Sequence, residues 1–140
     1  MILLDANGLI CALDATDPLQ RRAAAAIRAS RGPRLLSPFI LAELDYLLTA
    51  RVDRRVARRL LDEIAEGAYR LEPFDSTDVP AAAGIIDRFA GLDIGLADAS
   101  IVVLAERHDV RDVLTLDERH FRALRADGKP FRILPADLAA

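Results

Sequence analysis

Short apolar runs recur along the chain, separated by longer stretches in which apolar residues return every three or four positions. The first pattern predicts buried strands and the second amphipathic helices. Residues 2–4 form the first run and end at Asp5, so a strand opens the fold, with a loop or helical turn following at Asn7. Asp17-Pro18-Leu19-Gln20 joins a capping residue, a proline suited to the first helical position and an acceptor three residues on. That combination predicts a helix from about Pro18 to Ala29, stopped by Gly32-Pro33. Leu35-Leu36 reads as a second strand, Ser37-Pro38 as the start of a helix through Thr49, and Asp53 to Glu66 as a further helix ended by Gly67.

Tyr69 to Phe74 alternates as a third strand and is followed by helical sequence at 77–90. Ala97 to His108 is almost wholly apolar, which predicts an interior helix. Asp112 to Leu116 gives a fourth strand, Asp117 starts a short helix, and Phe131 to Leu134 is a last edge strand between Pro130 and Pro135. Strands alternating with helices need crossovers, and crossovers build parallel sheets covered on both faces. The expected fold class is α/β: a three-layer α/β/α sandwich with a central, mainly parallel sheet, in one domain spanning 1–140. In such sheets ligands collect beyond the carboxyl ends of the strands, where Asp5 and Asp117 both fall.

Two further carboxylates stand among apolar neighbours. Glu43 shares its predicted helix with Phe39, Ile40, Leu44, Leu47 and Leu48, and Asp98 has Ile94, Ile101, Val102 and Ala105 at helical spacing. Burying a carboxylate without a partner costs several kcal/mol. Taken singly, each acid has a structural role open to it. Asp5 could bond the amides of the next turn, Asp98 and Asp117 could cap helices, and Glu43 could pair with a buried Arg. Four such acids in one small domain favour a shared cause. At about 5 Å and an effective dielectric near 20, each pair repels by about 3 kcal/mol, a conflict that a divalent cation removes. Hard carboxylate oxygens select magnesium or manganese, and the matching chemistry is phosphodiester hydrolysis by activated water.

Composition narrows this picture. The chain has 140 residues, 52% of them hydrophobic, which suits one core. No apolar stretch has the form of a signal peptide or membrane span, so a cytoplasmic protein is expected. One cysteine, Cys11, and two histidines, His108 and His120, are too few soft ligands for a zinc or iron site. Cys11 itself, in an apolar run, reads as a small core residue. The formal charge of −3 argues against a broadly basic nucleic-acid coat, yet setting the four acids aside turns it to +1. Every basic residue but Lys129 is Arg, a side chain that grips phosphate through two oxygens. Arg51, Arg54, Arg55, Arg58 and Arg59 form the densest basic cluster, read either as an RNA-backbone contact or as a solvated helix face.

The ordered set of motifs resembles one family. Leu4-Asp5-Ala6-Asn7, Glu43 in the helix after Ser37-Pro38, Leu96-Ala97-Asp98-Ala99-Ser100-Ile101, and Leu114-Thr115-Leu116-Asp117 followed by Phe121 resemble PIN-domain nucleases, above all the VapC-type toxins of bacterial toxin–antitoxin pairs. The resemblance covers essentially the whole chain. It implies that Asp5, Glu43, Asp98 and Asp117 form an acidic quartet holding Mg2+ or Mn2+, with Asp5 and Asp98 the firmest ligands and Asn7 and Thr115 in support. It also implies an RNA substrate, a cognate antitoxin protein and a homodimer. Ala6 departs from the family, which commonly has a hydroxyl residue there. His120 and Asp93, close to the motifs, are read as surface or capping residues.

Three rival readings meet the same residues. A phosphoacceptor receiver domain needs an Asp at the end of a central strand, whereas Asp53 opens an Arg-rich helical stretch and Asp127-Gly128-Lys129-Pro130 is adequately explained as turn chemistry. A dinucleotide-binding enzyme needs a Gly-rich fingerprint after the first strand, where this chain has Asp5-Ala6-Asn7. A catalytically inactive RNA-binding PIN fold is opposed by the presence of all four acids.

Overall fold

A computed structural model describes residues 1–139. The chain runs β1 (Ile2–Leu4), α1 (Ala6–Leu13), α2 (Gln20–Ala29), β2 (Arg34–Leu36), α3 (Pro38–Arg51), α4 (Arg54–Ala65) and β3 (Arg70–Leu71). It continues with α5 (Val79–Arg88), a 3-10 turn at Ala90–Leu92, α6 (Leu96–His108), β4 (Asp112–Leu114), α7 (Glu118–Ala123), a hairpin of β5 (Arg125–Ala126) and β6 (Lys129–Pro130), and β7 (Arg132–Leu134). Five strands form one sheet in the order β3-β2-β1-β4-β7, every pair parallel. Helices cover both faces, giving the expected α/β/α sandwich. Among the described residues no helix is long and apolar enough to cross a membrane.

The core explains the strand order. Ile2, Leu3 and Leu4 are fully or almost fully buried, as befits a central strand covered on both faces. Each such side chain contributes about 1.5–3 kcal/mol by leaving water. From β1 the chain winds through β2 to β3 on one side, then crosses to β4 and β7 on the other. The reversal falls between β1 and β4, so the strand ends there open into a crevice. Helix α6 lies over β1 and packs against α3 and α5, which explains why residues 99–105 are all buried.

Several elements differ from expectation for local reasons. The turn expected at Asn7 is a full helix, α1, because Asp5 caps it: its Oδ1 accepts the Ala6 amide at 2.8 Å. The helix predicted from Pro18 starts at Gln20, since Asp17 turns the chain through its bond to the Leu19 amide. The third strand shrinks to Arg70–Leu71, an exposed edge pair with Pro73 close behind. The fourth strand stops at Leu114; the Thr115 amide still donates to the Leu134 carbonyl, and its side chain turns to Asp5. Asp127-Gly128 is the turn of the β5–β6 hairpin, both residues having positive φ, as a two-residue turn of this kind requires.

Candidate active site

The site is built on the ends of β1 and β4. Asp5 follows β1 directly, is 7% exposed, and has both oxygens held: Oδ1 by the Ala6 amide and Oδ2 by the Thr115 hydroxyl at 2.7 Å. Thr115, fully buried after β4, also lies 3.2 Å from Asn7 Oδ1 and accepts the Asp117 amide at 3.0 Å. The Leu116 amide donates to Asn7 Oδ1 at 3.0 Å. These bonds lock the ends of two neighbouring strands to the start of α1. Gly8 allows the approach, since a Cβ there would stand 2.3 Å from the Leu114 carbonyl oxygen.

The remaining acids come from helices. Asp98 lies in the first turn of α6, Glu43 in the middle of α3, and Asp117 caps α7 by accepting the His120 amide at 3.1 Å. Helices α3 and α6 are fastened by Ser37 and Ser100, whose buried hydroxyls meet at 2.7 Å, while Ser100 donates to the Ala97 carbonyl. Ser37 also caps α3 by accepting the Phe39 amide. The result is a cleft of about 340 Å3 lined by Asp5, Asn7, Glu43, Asp98, Asp117 and His120, with Gly95 and Ala97 in its wall.

The electrostatics are those of crowded acids. Burial pushes the Asp5 carboxyl up to about 6, the charges of Asp98 and Glu43 add to this, and the Thr115 hydroxyl and Ala6 amide oppose it. Burial likewise raises Asp98, and Asp117 and Glu43 raise it further. His120 is raised chiefly by its bond to Asp117, Nδ1 to Oδ2 at 2.6 Å. Among the described residues no three acidic, His or Cys side chains form a closed ligating cluster, so the carboxylates stand around an open cleft. The set nevertheless fits a hard cation. Its donors are carboxylate oxygens, each Asp5 oxygen keeps a lone pair beyond its one hydrogen bond, and mutual repulsion is what a divalent ion relieves.

A PIN domain model matches residues 2–126. The chain belongs to the PIN-domain family. It is 37% identical over 135 residues to ribonuclease VapC26 of Mycobacterium tuberculosis, a match covering 96% of this chain and 100% of that protein. Among solved structures, VapC20 of Mycobacterium tuberculosis, a sarcin-ricin loop cleaving toxin, superposes with a TM-score of 0.76 at 17% identity, covering 84% of this chain and 90% of that one. FitAcB from Neisseria gonorrhoeae superposes with a TM-score of 0.67 at 26% identity, covering 94% and 97%.

In this PIN domain the four acids and Asn7 line one cleft, and Thr115 supports them from below. One sequence expectation needs correction. Glu43 is exposed, because the buried stripe of α3 is Ile40, Leu44 and Leu48 and Glu43 sits at its edge. His120, read as a surface or capping residue, bonds the helix cap Asp117 and also stands in the wall of the cleft; its place three positions after Asp117 on a short helix was the available signal. Ser37 and Ser100 were legible only as a cap and as part of a motif. Asp93 is an exposed residue in left-handed conformation, and Asp53 caps α4, far in role from a phosphoacceptor. Arg51, Arg54, Arg55 and Arg58 are exposed and do not line the acidic cleft. Arg54, Arg55 and Arg58 border a separate groove between α3 and α4, with Arg58 paired to Asp62 at 2.6 Å and Arg55 to Asp53 at 3.5 Å.

Proposed function

We propose that this chain is a VapC-type ribonuclease toxin that hydrolyses RNA phosphodiesters in the Asp5–Glu43–Asp98–Asp117 cleft with magnesium or manganese, and is restrained by a cognate antitoxin. The observation that carries the reading is the gathering of four carboxylates at the sheet's switch point, two of them, Asp5 and Asp98, raised by burial and by neighbouring acids. Similarity to a ribonuclease over nearly the whole chain supports the RNA substrate.

Asp5 and Asp98 are the principal ligand candidates, with Glu43 and Asp117 completing the ring. A divalent ion bound there would supply positive charge against the phosphoryl oxygens and acidify water in the cleft. Thr115 and the Ala6 amide hold the Asp5 carboxylate in one orientation, so it does not have to be ordered when substrate arrives. His120 holds both oxygens of Asp117. Without a cation the acids repel phosphate, which couples substrate entry to loading of the site.

Attack by water, with no role for the ribose 2′-hydroxyl, leaves a 5′-phosphate and a 3′-hydroxyl. The test is to map the ends produced from a defined RNA in magnesium and in excess chelator. Those ends, with no cleavage in chelator, are expected; a 2′,3′-cyclic phosphate or chelator-resistant cleavage would overturn the reading. The antitoxin and the homodimer come from the toxin resemblance. An acidic cleft attracts a basic side chain, and an inserted guanidinium could satisfy two carboxylate oxygens at once. Growth arrest on expression of the wild type alone, relieved by Asp5→Asn or by the product of the adjacent small reading frame, is the expected result.

A further inference from the structure

A second cleft borders the same strand-end segment. It holds about 250 Å3 and is bounded by Leu19 and Arg22 of the α2 region, by Thr115, Leu116 and Glu118, and by Pro135 after β7. Thr115 stands between the two: it borders this cleft, while its buried hydroxyl donates to Asp5 beneath the acidic one. The Leu116 amide likewise reaches Asn7 in the acidic cleft. One short segment of chain therefore separates the two.

The chemistry of the second cleft is the opposite of the first. Leu19 and Leu116 are 41% and 39% exposed, so the fold leaves their apolar surface uncovered. Arg22 stands beside them. Among the described residues its two hydrogen bonds both leave from Nη2, to the carbonyls of Pro135 at 3.2 Å and Leu138 at 3.5 Å, so Nε and Nη1 take no part in them. Among the described residues no carboxylate forms an ion pair with it. The acid on the rim, Glu118, is already bonded by Arg122 at 2.8 Å. A cationic fork over an apolar wall suits a group that is part anion and part flat ring.

We infer that this cleft is a substrate subsite for the nucleotide adjoining the scissile phosphate, with its base or sugar against Leu19, Leu116 and Pro135 and its phosphate on Arg22. The inference rests on the ribonuclease reading of the acidic cleft. The two clefts are separated only by the segment from Thr115 to Asp117, and this adjacency favours nucleic acid as the occupant, because a strand whose phosphate is held at Asp5 and Asp98 reaches Arg22 by crossing that one segment. At about 250 Å3 the cleft is below the roughly 300 Å3 at which whole-ligand pockets begin, which fits it to part of one nucleotide, the phosphate lying outside on Arg22.

The test compares two substrates in magnesium: a short mixed-sequence single-stranded RNA, and bis(p-nitrophenyl) phosphate, a diester with no second phosphate to reach Arg22. Arg22→Gln should lower kcat/KM for the RNA about tenfold. Arg22→Lys should restore most of it, and Leu19→Asn should lower it about threefold. Both Arg22 variants should hydrolyse the small diester at the wild-type rate. On the cleavage-silent Asp98→Asn background, Arg22→Gln should also make the salt dependence of RNA binding shallower by about 0.7 in log–log slope. Unchanged RNA cleavage, or equal losses on both substrates, would overturn the subsite. Normal RNA cleavage combined with escape from the co-expressed antitoxin would assign the cleft to a protein segment instead. A wild type that cuts neither substrate and binds no RNA would remove the ribonuclease reading and the subsite with it.

Discussion

Both carboxylate oxygens of Asp117 are engaged by one residue, His120: the backbone amide donates to Oδ1 at 3.1 Å and Nδ1 meets Oδ2 at 2.6 Å. The start of α7 sets both bonds, since the cap and the ring lie three residues apart on the first helical turn. The pairing divides the four acids. Asp117 has an internal partner, whereas Asp98 is raised by burial and by the charges of Asp117 and Glu43, with His120 opposing them at a distance.

Asp98 should therefore be the most informative acid to neutralise. Asp98→Asn keeps the shape of the side chain and removes a charge that the fold disfavours. Cleavage of RNA in magnesium should fall by about two orders of magnitude or more. In chelator, the melting temperature at neutral pH should be equal to or above that of the wild type. Wild-type cleavage by the purified variant would sink the site assignment.

The pH dependence of stability should run opposite to that of a salt-bridged carboxylate. Asp5 is raised from 3.8 to about 6, so between those values the folded protein binds a proton that the unfolded chain has released. Stability of the metal-free protein should fall as pH rises through this window, by about 3 kcal/mol from Asp5 at most, with Asp98 acting in the same direction. Denaturation in chelator at several pH values, with Asp5→Asn as reference, isolates this contribution. The variant should gain on the wild type as pH rises, and magnesium, by binding the ionised form, should shift the wild-type transition to lower pH. Identical pH profiles for the two proteins would show that Asp5 ionises as an ordinary carboxylate.

Two helical glycines should respond oppositely to alanine. At Gly8 a Cβ would lie 2.3 Å from Leu114 O, 2.6 Å from Leu114 C and 2.8 Å from Thr115 N, all backbone atoms. Gly8→Ala should cost about 1–3 kcal/mol despite its better helix propensity, and should impair cleavage by displacing Asp5 and Asn7 from Thr115. At Gly84, inside α5, a Cβ meets nothing within 4 Å. Gly84→Ala should stabilise by up to about 1 kcal/mol with unchanged activity. Chemical denaturation measures both.

The α3–α4 arginines make a separate prediction about RNA. Arg58 is tied to Asp62 by an exposed pair, and Arg54 faces the same groove. Neutralising both should weaken RNA binding and flatten its salt dependence by about 1.4 in log–log slope if each touches a phosphate. Stability should change little, because exposed pairs contribute 0–1 kcal/mol or so. An unchanged slope would leave this cluster as solvated surface.

The sequence by itself determined the alternation of elements, and with it the parallel sheet, because hydrophobic period and helix-start chemistry are local properties. Ser37-Pro38 and Asp117 announced their helices, and Asp5 announced the end of β1. The four acids were legible because each sat where a strand ended or an apolar stretch made a charge costly, and because their order matched a family. Tertiary structure decided the rest. Whether Glu43 is buried depends on the direction in which α3 rolls its stripe of Ile40, Leu44 and Leu48, and three residues of spacing do not fix that to within one position. The bonds of Thr115 to Asp5 and of Ser37 to Ser100 join residues 110 and 63 positions apart, so no local pattern could reveal them. His120 faces the cleft because α7 docks where β4 ends, and the second cleft exists because α2 and the segment after β7 meet across that same strand end. Local chemistry chose the elements; the close approach of strands and helices chose which of their side chains share a site.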